Sequence, residues 1–220
     1  MVTFFDHPSE DHLQWISQQK MFFIASASCK SNTRVNVSPK GYESIKVSQS
    51  NVYFLDLTGS GAETITHVNE NQRLTFMFCA FEGSPRIYRI WTKAKVIYNN
   101  SPDFNQLLNQ YFPDFSDSLY VRSIIVGDII QSAHSCGFGV PFYEYVGPRD
   151  TLNKYWSAKD QMYITDYWKA KNTKSVDGLY VHGYPNFISR LLSMKYESSL
   201  VIGGIAIGVL LGMKLSNTSQ

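Results

Sequence analysis

Apolar and polar positions alternate most regularly from Arg86 to Tyr98. Tyr88, Ile90, Thr92, Ala94, Val96 and Tyr98 fall on one face of an extended chain. Ile87, Arg89, Trp91, Lys93, Lys95 and Ile97 fall on the other. The pattern predicts a strand with one core face and one face carrying cations and a tryptophan. Further strands are expected at Met21–Ala27, Asn32–Lys40, Ile45–Val47, Val52–Leu57, Arg73–Phe81 and Leu119–Ser132. In Asn32–Lys40, Val35 and Val37 alternate against Arg34, Asn36 and Ser38, so Arg34 and Ser38 are expected on one strand face.

Helical spacing is seen at His12–Lys20 and Glu63–Glu70. It recurs after Ser101-Pro102-Asp103, where Phe104, Leu107, Leu108 and Tyr111 share a face. Thr151–Lys171 reads as helix in one or two pieces, and Ser175–Tyr184 reads as irregular. Strands joined mostly by short turns, with helices at the periphery, favour a small, mainly antiparallel barrel over a parallel βαβ sheet.

The chain has 220 residues, 44% of them hydrophobic and 15% aromatic, enough for one sizeable core. A net charge of +2 without a dense basic stretch argues against a nucleic-acid partner. The lysines between Lys169 and Lys174 read as a solvated helix end. Three cysteines, Cys29, Cys79 and Cys136, stand far apart with no CxxC pair, so no metal is expected and a reducing compartment fits. The acidic start of the sequence has no apolar signal-like core.

Composition changes near the other end. An uncharged run extends from Ser198 to Met213, with Gly204, Gly208 and Gly212 on one helix face. A spanning helix needs about 20 apolar residues, so this run is short. Flanking Lys195 and Lys214 can snorkel, and the glycine spacing suits close helix packing. Two readings result: a C-terminal membrane anchor over 200–215, or a buried helix of the soluble domain, for which so many glycines are unfavourable. The anchor reading divides the chain into a domain at 1–184 and a tail at 185–220. It places the domain on the cytosolic face of an intracellular membrane.

The candidate chemistry gathers around Thr58-Gly59-Ser60-Gly61, between the Val52–Leu57 strand and the Glu63–Glu70 helix. A small polar loop running into a helix start offers N–H groups and hydroxyls to an anion such as a phosphate. It is equally a tight connection, in which Thr58 or Ser60 caps the helix. Arg34, Ser38 and Lys40 would complete a phosphate pocket if the fold brings them beside Thr58–Thr64; otherwise they line an exposed polar strand face. No nucleophile elbow, HExxH, P-loop or kinase signature occurs. His67 reads as a helix-surface or interface residue. Cys136, two residues after His134, reads as a thiol buried in a tight loop or as a thiolate pair with that histidine. Cys79 reads as core.

Four segments together carry a resemblance: Arg34–Gly41 (RVNVSPKG), Phe54–Arg73 (FLDLTGSGAETITHVNENQR), Met77–Trp91 (MFCAFEGSPRIYRIW) and Ser135–Leu152 (SCGFGVPFYEYVGPRDTL). They are similar to the pyridoxamine 5′-phosphate oxidase-like family, in an uncharacterised branch, over roughly residues 10–180. The resemblance implies an FMN-binding split β-barrel that forms a homodimer, with flavin at the subunit interface. It implies an FMN-dependent oxidoreductase with a small-molecule substrate. Arg34, Ser38, Lys40, Thr58, Ser60 and Thr64 would contact phosphate and ribityl groups, and Arg89 or Trp91 would approach the isoalloxazine. No catalytic acid or base is indicated.

Two departures count against pyridoxamine phosphate oxidation itself. Ala62-Glu63-Thr64 stands where those oxidases carry a basic Ser-Arg-Lys. Tyr180 precedes His182 where they carry an Arg-x-His pair. A non-enzymatic split-barrel module that binds another cofactor, or none, is the competing reading.

Overall fold

The computed structural model describes residues 2–181. Its centre is one mainly antiparallel sheet of eight strands: β1 (Val2–Phe5), β2 (Phe22–Ser26), β3 (Asn36–Lys40), β4 (Ile45–Val47), β5 (Asn51–Leu57), β6 (Arg73–Cys79), β7 (Ile87–Tyr98) and β8 (Val121–Ser135). The order is β3-β2-β6-β7-β8-β5-β4, and β1 pairs with the far end of β8. The strands curl into a half-barrel. Phe22 of β2 therefore meets Phe54 of β5 across the concave side, ring centroids 6.0 Å apart, although these strands are not neighbours.

The alternation in β7 holds. Tyr88, Ile90, Thr92, Ala94 and Tyr98 are buried on the concave face, while Arg89, Trp91, Lys93 and Lys95 face outward. Helix α1 (Glu10–Gln18) starts at a capping box. Ser9 Oγ accepts the His12 N–H, and the Ser9 N–H donates to His12 Nδ1. This helix closes one end of the half-barrel, with His12 against Tyr88 at 4.6 Å. Helix α2 (Glu63–Asn71) sits on the concave face near the other end, burying Ile65 and Val68. Gln72, at φ 63, ends it in the left-handed conformation. Helix α3 (Phe104–Tyr111) packs on the convex side, where Phe104, Leu108 and Phe112 bury Leu55, Val121 and Ile124.

Several expectations are corrected. Strand β1 was not expected; four residues give too short an alternation to stand out, and pairing with β8 fixes them. Strand β3 begins at Asn36, so Arg34 lies ahead of it and does not share a strand face with Ser38. Neither Thr58 nor Ser60 caps α2: its cap position is Ala62, and no side chain bonds there. His67 is fully buried, while Cys136 is exposed. The helical stretch after Asp150 divides into α4 (Thr151–Ser157) and α5 (Gln161–Lys171). Residues 173–181, which overlap the Ser175–Tyr184 stretch expected to be irregular, form a tight hairpin closed by the Lys174–Tyr180 bridge and the Val181 N–H to Thr173 O bond. The proposed tail at 185–220, with its anchor at 200–215, lies outside the described residues. Among those described, no helix is long and apolar enough to cross a membrane.

Candidate functional site

The loop between β5 and α2 is held from beneath by a buried ion pair. Asp56 ends the regular part of β5. The β5–β8 register shifts between Asp56 and Leu57, so the pairing jumps from Ser123 to Val121 and skips Arg122. This bulge re-aims the arginine. Arg122 and Ser123, consecutive in sequence, therefore both reach Asp56. Arg122 Nε and Nη2 donate to the two carboxylate oxygens at 3.0 and 2.9 Å, and Ser123 Oγ donates at 3.2 Å. Arg122 Nη1 also donates to the Gly61 and Gly59 carbonyls, at 2.9 and 3.4 Å. Both charged side chains are about 5% exposed. The two-pronged geometry is the one that offsets desolvation best.

The same loop is held from outside by α5 and the residues after it. Trp168 Nε1 donates to Thr58 Oγ1 at 2.8 Å, and Thr58 passes its own proton to the Tyr120 carbonyl at 2.6 Å. Asn172 Nδ2 donates to the Gly59 carbonyl at 2.9 Å. Glu63, the first residue of α2, accepts the Val176 N–H at 2.9 Å. Its carboxylate curls over Gly61, where a Cβ would stand 2.5 Å from Glu63 Oε2; glycine is the residue that leaves this room.

Between the sheet edge at β3, the start of α2 and the segment after α5 runs an open groove of about 560 Å³. Arg34, Asn36, Ser60, Gly61, Glu63, Lys171 and Lys174 line it. No side chain caps α2. An uncapped helix start presents orphan N–H groups and the positive end of the helix dipole. Behind the groove, a polar network ties α2 to the sheet. Asn36 Nδ2 donates to Thr64 Oγ1 and to Ser26 Oγ, Ser38 Oγ donates to Asn36 Oδ1, and Ser26 Oγ meets His67 Nδ1 at 3.0 Å. Among the described residues, His67 Nε2 is buried without a hydrogen-bond partner. Burial pushes this imidazole below its ordinary range, against the pull of Glu70, Glu63 and Asp177.

The eight residues singled out in the sequence divide among five places. Arg34 and Ser60 line the groove, and Thr64 and Ser38 stand in the network behind it. Lys40 ends β3, about 13 Å beyond Asn36 at roughly 3.3 Å per residue. Its amine lies 6.0 Å from the Phe54 ring. Burial lowers its pKa, Asp56 and Glu63 pull it up, and Arg122 adds to the lowering. Thr58 is buried, with its hydroxyl committed on both sides. Arg89 and Trp91 face outward from β7, on the opposite face from Ser38 and Asn36; Trp91 stacks on Phe4 at 6.1 Å, and Arg89 donates to Ser135.

Sequence reasoning missed Asp56, Arg122, Lys171, Lys174 and Asp177. A charge inside each of two apolar runs, Val52–Leu57 and Val121–Ile125, was the available signal for the first pair, since a buried charge needs a partner. Nothing local marks the lysines, because a groove across the chain gives them their neighbours. A larger groove, about 930 Å³, lies elsewhere beside Trp15, Phe81, Arg86, Tyr143 and Tyr145, and none of the eight residues lines it.

The family model described as pyridoxamine 5′-phosphate oxidase matches residues 8–126, which include β3, the Thr58–Gly61 loop and α2. A pyridoxamine 5′-phosphate oxidase family protein of Aspergillus flavus, ustO, is 33% identical over 195 residues, 81% of this chain and 77% of the relative. The chain belongs to the pyridoxamine 5′-phosphate oxidase family. Solved structures similar to it include an FMN-binding protein of Syntrophomonas wolfei, 12% identical with a TM-score of 0.39, covering 55% of this chain and 79% of that one. Another is a FAD-binding protein of Mesorhizobium loti, 11% identical with a TM-score of 0.39, covering 61% and 96%. The family model matches up to residue 126, and the segments that clasp the loop from α5 onward follow the matched residues.

Proposed function

We propose that this chain is a flavin-binding member of the pyridoxamine 5′-phosphate oxidase family, with FMN as its cofactor and an oxidoreductase activity. The observation that carries the reading is the uncapped start of α2, opening onto a groove that bears Arg34, Lys171 and Lys174. Helix-start N–H groups with nearby cations are what a phosphate monoester requires. The donor set therefore fits the phosphate end of a flavin mononucleotide. Ser60 and Arg34 would hold that end, and Asn36, Ser38 and Thr64 would position α2 against it. Lys40, a half-buried amine with no ion pair among the described residues, is suited to a second anionic or carbonyl group along the same strand. FMN supplies the electron and hydride chemistry when bound. The chain orients it and needs no titrating side chain for hydride transfer.

The absorbance spectrum of the purified full-length protein tests this reading. The expected result is flavin bands near one per chain, released by heat as FMN. Ser38→Ala with Lys40→Ala is expected to abolish retention while the circular dichroism stays unchanged. A colourless protein that takes up no added FMN would sink the reading.

One observation favours a second reading, a split-barrel module without flavin. Glu63 places a carboxylate at the groove, and Asp177 already holds Arg34, which lines it. The same spectrum separates the two.

We also propose a homodimer and a membrane-tethered C-terminus. The outward face across β3, β2, β6 and β7 supports the first: Val37 there is 60% exposed. The uncharged Ser198–Met213 run supports the second. Full-length protein released from membranes at alkaline pH would exclude the tether.

A further inference from the structure

We propose that Asp177, at the tip of the 173–181 hairpin, is a tethered anion that holds Arg34 in the place a phosphate would take, so that ligand binding and release of this clasp are one equilibrium. The proposal rests on reading the groove beside α2 as the phosphate end of a flavin site.

The hairpin is well defined. Its closing bonds run from Ser175 N–H to Leu179 O at 2.8 Å and from Gly178 N–H to Ser175 O at 2.9 Å. Gly178 turns it at φ +76, where a side chain would be strained. This puts Asp177 at the turn. Its carboxylate accepts the Arg34 backbone N–H at 2.8 Å and pairs with the Arg34 guanidinium. The two partners are unequally exposed: the Asp177 side chain is 7% exposed and the Arg34 side chain 72%. A buried oxyanion taking one backbone N–H and one guanidinium is the way an anionic ligand is held.

The neighbouring residue secures the position. The Val176 N–H donates to Glu63, the first residue of α2. The hairpin is thus fastened to both sides of the groove, at Arg34 and at the helix start. An incoming phosphate that uses Arg34 must replace Asp177. Its apparent affinity is reduced by the fraction of molecules in which the clasp is closed.

A different role would leave similar contacts: Asp177 could aim Arg34 at the ligand instead of competing with it. The two roles predict opposite signs. Asp177→Asn removes the charge, keeps an oxygen that accepts the Arg34 N–H, and preserves a residue type favoured before glycine in a tight turn. Full-length wild-type and variant proteins would be titrated calorimetrically with FMN and, separately, with inorganic phosphate.

The expected result is binding about two- to fivefold tighter in Asp177→Asn, the range for removing one competing, partly exposed ion pair. Equal or weaker FMN binding by the variant, with the wild type binding FMN, overturns the clasp and leaves the flavin reading standing. Phosphate uptake improved by the substitution, with no FMN uptake by either protein, supports the clasp and removes the flavin reading. No binding of either anion by either protein overturns both. Amide exchange in the wild type gives a check independent of the variant's folding. The Arg34 and Val176 amides lose protection at saturating FMN; if both stay protected with FMN bound, the clasp is wrong.

Discussion

Asp56 and Arg122 show how a single charge pair shapes a binding loop. Their ion pair is buried and supplies Gly59 and Gly61 with donors. Removing one partner leaves an uncompensated buried charge, a loss of about 3–5 kcal/mol. Asp56→Asn is therefore expected to lower the urea midpoint sharply, and joint replacement with Arg122→Met to cost less than the two single changes combined. A double-mutant cycle of urea unfolding curves measures this; additive losses would show that the two residues do not act as a pair. The residues most visible in the sequence, Arg34 and Ser60, do line the groove. The partners that fix their surroundings were not visible. Arg122 reaches Asp56 because a bulge breaks the two-residue period, and a period argument has no means of placing a bulge.

Among the elements, α2 is the one whose seating should respond to pH. It meets β2 and β3 through His67, Ser26, Asn36 and Thr64. Burial holds the His67 imidazole below its unfolded value near 6.5, so between those two values the unfolded chain binds more protons. The stability contributed by neutral His67 is thus fully present above about pH 6.5 and is lost as pH falls toward the lowered folded value. His12, lowered mainly by burial and then by Arg86, acts in the same direction. Urea midpoints measured from pH 7.5 down to 5.5 are expected to fall in the wild type and to fall less in His67→Asn. An identical slope in the two proteins would assign the titration elsewhere. Element positions were largely readable: β4, β7 and α3 fall where alternation or helical spacing put them. The hairpin at 173–181 was not, because Asp177-Gly178 was its only local turn signal and its packing comes from residues far away in the chain.

For the whole molecule, the proposed dimer can be tested on the outward sheet face. Among the described residues, Val37 stands on an edge strand, β3, which pairs only with β2, and its side chain is 60% exposed. A charge there disturbs little inside the protomer and much in a surface paired with another copy. Light scattering of the full-length protein is expected to give the mass of two chains, and Val37→Glu that of one. A wild-type mass of one chain would remove the dimer from the proposal.

Strand β8 touches β7, β5 and β1, and its pairing with β1 joins residue 2 to residue 135. On a ribosome, then, β1 has to wait for β8. The earlier strands emerge with exposed edges and no central partner, and the sheet closes late, by contacts of long sequence separation. Chains of this kind fold on the slower, millisecond-to-second scale. Until β8 is made, the edges of β5 and β7 that it covers stay open, and open strand edges are where unfinished sheets aggregate.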